Sequence, residues 1–246
     1  MENLLRVALF GLVSGITGTG LGGLIAILTG NIGNRFLSFI LEFSAGLMTA
    51  VVCFKLLPEA FELGGIAYSL TGLLLGVLAI IIIEEIINKS VHMLKRYGSS
   101  SLLRTGILMA VGIALHNFPE GLAVGSGFEA SFSLGFTITA VIIIHDIPEG
   151  IAMAMPMRRG GFSRVKALSY TILSGVPMGL GAAIGAALGR ISSHIISLCL
   201  GFAAGAMLYI VYAELVPESK KIYLGRLSSV GNVLGLLCGI IVSICN

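Results

Sequence analysis

Charge is scarce in this chain. Asp, Glu, Lys and Arg make up 11% of its 246 residues, where a soluble domain carries about 25%. With 56% hydrophobic residues and a mean hydropathy of +1.02, that shortage excludes a soluble globular protein and implies an integral membrane one. The formal net charge of +3 gives no basis for a nucleic-acid partner. Cysteine is scarce too. Cys53, Cys199, Cys238 and Cys245 lie in or at the end of apolar runs, without the paired spacing of a zinc site or a disulfide framework. They read as apolar fillers. Low-complexity tracts are missing, and so is any polar stretch long enough for a soluble domain. The apolar runs are continuous and do not alternate, which excludes a β-barrel.

What is present is a series of long apolar runs. Crossing the hydrocarbon takes about 20 apolar residues as helix. Eight segments fit: 4–28, 36–57, 66–87, 105–127, 132–155, 166–189, 193–215 and 224–245. The first is Gly-rich and lacks a clear small-residue cleavage site, so it reads as a membrane helix and not a removable signal peptide. The expected fold is an all-α integral membrane protein, a single transmembrane domain over residues 1–246 in the lipid bilayer. Of the fifteen Lys and Arg, twelve fall in the connections after spans one, three, five and seven. The positive-inside rule puts those connections in the cytoplasm and both termini outside.

Two internal repeats stand out. Phe43-Ser44-Ala45-Gly46-Leu47-Met48 and Leu56-Leu57-Pro58-Glu59 in span two return 159 residues later. The later copies in span seven are Phe202-Ala203-Ala204-Gly205-Ala206-Met207 and Leu215-Val216-Pro217-Glu218. The copies lie five spans apart, an odd offset, so they run in opposite directions. The implied plan is an inverted repeat, with helices 1–3 mirrored by 6–8 around a central 4–5 pair. Transporters built this way bind substrate near the midplane. The second repeat is His116-Asn117-Phe118-Pro119-Glu120-Gly121, which recurs 29 residues later as His145-Asp146-Ile147-Pro148-Glu149-Gly150.

Ionisable groups at membrane depth are costly and mark ion or substrate pathways. His116 and Glu120 share a helix face at i, i+4, as do His145 and Glu149. Pro119 and Pro148 each remove a backbone donor. Facing helices would give two adjacent sites. One has His116, Glu120, His145 and Glu149, and its imidazole and carboxylate suit Zn²⁺ or Fe²⁺. The other, Asn117, Glu120, Asp146 and Glu149, is all oxygen and harder. The bland alternative is a buried polar network that holds two helices together.

The paired motif, the eight spans and the Leu-Leu-Pro-Glu end of span two resemble the ZIP family of divalent-metal transporters. The small size is similar to its bacterial ZupT- and GufA-like members. The resemblance implies a homodimeric importer that moves Zn²⁺, and often Fe²⁺, Mn²⁺ or Cd²⁺, into the cytoplasm across the cell membrane. The metal is then a transported substrate, and no resident cofactor is implied. It also implies a binuclear site on His116, Asn117, Glu120, His145, Asp146 and Glu149, with Met48 matching a helix-two Met that can complete the first site. Three departures stand against the family pattern. Met178 occupies a position where many members have Glu, Asp146 stands where many have Asn, and the loop after helix three has only His92 where the family is often His-rich. The other class of function, an intramembrane metal-dependent enzyme, lacks a His-Glu-x-x-His motif and the His clusters of di-iron membrane enzymes. Lys55 and Glu214 are also related by the 159-residue offset. Lys55 reads as snorkelling or as a cation at an entrance, and Glu214 as a solvated helix end or part of a metal exit.

Overall fold

The computed structural model describes residues 2–29, 33–94 and 101–244. These are helical almost throughout, with no strand among the described residues. The helices are α1 (Glu2–Thr29), α2 (Asn34–Val51), α3 (Leu57–Leu94), α4 (Ser101–Ala130) and α5 (Phe132–Arg159). They continue with α6 (Arg164–Ser174), α7 (Val176–Gly189), α8 (Ser193–Ile210), α9 (Val216–Ile222) and α10 (Arg226–Ile244). Among the described residues, six stretches are long and apolar enough to cross a membrane: Leu4–Thr29, Asn34–Ile86, Phe132–Arg159, Arg164–Gly189, Ser193–Ile222 and Arg226–Ser243. The chain is a multi-pass membrane protein. Cys245 and the side chain of His92 lie outside the described residues.

Local chemistry explains the helix boundaries. Ser131, Ser163 and Ser192 sit in extended backbone, and their hydroxyls accept the N–H groups of Leu134, Lys166 and Ile195 at 3.1, 3.3 and 3.3 Å. Each satisfies one of the donors that a helix start leaves open. The stretch from Asn34 to Ile86 is broken at Gly65, whose φ of 77° only glycine adopts cheaply. The expected span 166–189 falls within the single stretch Arg164–Gly189, which is interrupted where the chain leaves α6 at Gly175 and Pro177 follows at the start of α7. The connection expected over 88–104 is shorter, since α3 continues to Leu94 and α4 begins at Ser101.

Two wider, π-helical turns interrupt the helices, at Val52–Leu56 and Val211–Leu215. In each, an N–H reaches five residues back, from Leu57 to Val52 O and from Val216 to Val211 O. Pro58 and Pro217 follow immediately and bring no N–H of their own, so a widened turn suits them. Lys55 and Glu214 are both half-buried on these turns.

The helices pack in matching pairs. α3 lies along α8 and α10 along α2; α4 lies along α7 and α1 along α5; α4 and α5 pack on each other. Glycines bring the backbones together. Gly76 sits against Phe202 O, and Gly235 against Phe43 O. Gly205 meets Leu73 O, and Gly46 meets Asn232 O. Close approach of this kind suits membrane helices, where dispersion and not water drives association. Serines pin the same pairs. Ser197 Oγ donates to Ala60 O at 2.7 Å and lies 3.0 Å from Ser69 Oγ. Ser38 Oγ donates to Ser219 O at 3.0 Å and lies 2.6 Å from Ser228 Oγ. The main core, which includes Met48, Ile138, Ile142, Met178 and Leu200, lies where these pairs meet α4 and α5.

Candidate metal centre

Glu120 stands on α4, and His145 and Asp146 on α5. One potential ligand atom from each lies within 4.8 Å of the others, and all three residues are buried. His145 Nε2 is 2.8 Å from Glu120 Oε1 and 3.3 Å from Asp146 Oδ1. Ser44 on α2 donates its hydroxyl to the main-chain carbonyl of His145 at 3.0 Å, which ties α2 to the site. Met48, one turn further along α2, is completely buried. Glu149, one turn beyond His145 on α5, is also at 0% exposure but lies outside the three-residue cluster. His116 belongs to α4, and its side chain is outside the described part.

Asn117, at 0% exposure, donates its Nδ2 hydrogen to Ser174 O of α6 at 2.7 Å. Asn117 Oδ1, His145 Nδ1 and Asp146 Oδ2 have no hydrogen-bond partner among the described residues. A buried polar atom left unsatisfied costs about 1–3 kcal/mol. Such atoms on His145 and Asp146, within the cluster with Glu120, fit a donor set for a cation, and Asn117 precedes Glu120 by three residues on α4. The donors are nitrogen and oxygen, which suits borderline ions such as Zn²⁺ and Fe²⁺.

Glu120, His145 and Asp146 are drawn from the two adjacent expected sites, which share Glu120, and they gather in one cluster in which His145 touches both carboxyl groups. Met178 is wholly buried, and its sulfur accepts a hydrogen bond from Ser14 Oγ of α1 at 3.2 Å. A side chain at Gly18 of α1 would collide with Asp146. Sequence reasoning passed over α1 as a wall of the site, although its small residues at helical spacing (Gly11, Gly15, Gly18, Gly22) carry the signal of close packing. It also passed over Glu42, which is buried in α2 and accepts from Asn232 Nδ2 of α10 at 2.9 Å.

Similar proteins give the arrangement a context. The sequence profile of a family described as ZIP Zinc transporter matches residues 95–245. A zinc transporter ZupT of Chlorobium limicola is 35% identical, over 96% of this chain and 96% of its own length. A zinc transporter ZupT of Streptococcus mutans is 34% identical, over 89% of each chain. The human zinc transporter ZIP11 is 40% identical over 57% of this chain and 43% of its own.

Proposed function

The chain belongs to the ZIP family of zinc transporters, and on that premise we propose that it imports divalent transition-metal ions into the cytoplasm. It is a membrane transporter and not an enzyme. Zn²⁺ is the first substrate in this reading, with Fe²⁺, Mn²⁺ and Cd²⁺ as further ones. The path runs through a midplane site on helices α4 and α5. The observation that carries the reading is the convergence of Glu120, His145 and Asp146 out of contact with solvent.

The chemistry follows from that burial. A carboxylate in low dielectric needs a compensating charge, and a dehydrating metal ion supplies it. Glu120 and His145 exchange their 2.8 Å contact for bonds to the ion. Asp146 Oδ2 and Asn117 Oδ1 add oxygen ligands, and Glu149 on α5, His116 on α4 and Met48 on α2 stand to receive or pass the ion. Several weak, shared ligands let a cation enter and leave stepwise. The metal is cargo, and the protein needs no resident cofactor.

The architecture in this reading has eight spans in one transmembrane domain, both termini outside and a homodimeric assembly. An inverted repeat relates spans 1–3 to 6–8. Support for it comes from the 159-residue offset between the contacts Gly76–Phe202 and Gly235–Phe43 taken in reverse order along the pairs, and between the Ser69–Ser197 and Ser228–Ser38 pairs. The two π-helical turns are related by the same 159 residues.

The test is metal uptake into proteoliposomes at equal protein density, wild type against Glu149→Ala. Saturable Zn²⁺ entry that falls at least about tenfold in the variant is the expected result. Equal entry in both would remove Glu149 from the path. No entry with a folded, metal-binding wild type would count against transport driven by the metal gradient alone.

A further inference from the structure

We infer that the break between α6 and α7 is a positioning element for the metal: the main-chain carbonyl of Ser174 holds the Asn117 amide so that Oδ1 is left for the ion. The inference rests on the proposed reading of Asn117 as a ligand.

Three features at the break make the carbonyl available. Pro177 brings no N–H to the second turn after it. Gly175 N–H bonds Ile172 O at 3.1 Å, and Met178 N–H bonds Gly175 O at 3.2 Å, so both donors reach only three residues back. Ser174 O then takes its hydrogen from outside the helix, from Asn117 Nδ2 at 2.7 Å. The Ser174 hydroxyl is engaged elsewhere, with Thr171 O at 2.7 Å.

A carbonyl can only accept, so the amide edge that faces it must be the NH₂. The opposite edge is the oxygen. Oδ1 is buried and has no hydrogen-bond partner among the described residues. A cation is repelled by an N–H edge and bound by the oxygen edge, so the orientation decides whether Asn117 can be a ligand at all. Asp146, the residue 29 positions later in the second motif copy, presents oxygen at both edges and needs no such anchor. The arrangement explains why an amide and a carboxylate can serve at matched positions: one is oriented by a neighbouring backbone and the other by its own symmetry. Groups that orient a ligand are typically worth about 10–100-fold in metal affinity.

The experiment is Zn²⁺ titration of the purified full-length protein in detergent, for wild type, Asn117→Ala, Pro177→Ala, the double variant and Ser174→Ala. An N–H restored at position 177 can reach the Ser174 carbonyl three residues back, as Gly175 and Met178 reach theirs, and compete with Asn117 for it. We expect each of Asn117→Ala and Pro177→Ala to weaken binding by about tenfold or more. The double variant should be no weaker than Asn117→Ala alone, because both act through one group. Ser174→Ala keeps the carbonyl and should bind as wild type does. Wild-type affinity in Pro177→Ala, or additive losses in the double variant, would overturn the inference. Wild-type affinity in Asn117→Ala would instead sink the ligand reading beneath it. If Pro177→Ala does not fold, Asn117→Asp decides. An anchored amide predicts weaker Zn²⁺ binding, since an oxygen would then face the carbonyl, whereas tighter binding from the added charge overturns the anchor.

Discussion

Glu120, Asp146 and Glu149 put three carboxyl groups out of reach of solvent, where an isolated negative charge is far more expensive than in water. His145 touches two of them at 2.8 and 3.3 Å. In the proposed reading a metal ion binds these groups, so protons and metal compete for them. Zn²⁺ affinity is therefore expected to fall as pH drops from about 7.5 to about 5.5, because protons compete with the metal for the nitrogen and oxygen donors of the cluster. The sign follows because the protonated imidazole has no lone pair for the ion. Calorimetric or chelator-competition titrations at fixed ionic strength would measure it. A wild-type affinity that stays level over the window would count against protonatable ligands at the site.

Elements here are shaped by glycine and proline more than by charge. Two glycines on α3 separate two different costs. Gly76 lies against the backbone of α8, so a methyl group there meets Phe202 O. Gly65 has nothing within 4 Å of its missing Cβ, but its φ is 77°. Gly76→Ala is expected to cost about 1–3 kcal/mol through overpacking, and Gly65→Ala about 1–2 kcal/mol through backbone strain. Gly33→Ala, where φ is −65° and no atom lies within 4 Å, should be close to neutral. Thermal unfolding in one detergent ranks the three. A ranking that puts Gly33→Ala among the damaging variants would contradict the packing. The elements also show where the sequence is hard to read. The apolar run 166–189 looks like one helix because composition reports burial in lipid, while the turn at Gly175 depends on where the unpaired carbonyls find partners.

For the whole molecule the proposed orientation has a direct consequence. Ile191, between α7 and α8, is 68% exposed, and Leu224, between α9 and α10, is 84% exposed. With both termini outside, Ile191→Cys should react with a membrane-impermeant maleimide on intact cells. Leu224→Cys should react only after permeabilisation. The native cysteines set the background to be subtracted: Cys53 and Cys238 are exposed on the apolar surface and Cys199 is buried. The reverse pattern would invert the topology and with it the direction of import.

The sequence by itself determined the all-helical membrane class, the family and the types of ligand available. These depend on composition and on spacing along one chain, and hydrocarbon forces every long apolar run to satisfy its backbone internally as helix. Which residues meet was decided only by the tertiary structure. Asp146 joins Glu120 and His145 in one cluster, Asn117 turns to a carbonyl 57 residues away, and Glu42 finds Asn232 across 190 residues. Those meetings depend on how closely glycine-lined helix faces approach and on which carbonyls a proline leaves open. Both are properties of packing in space, and no local spacing encodes them.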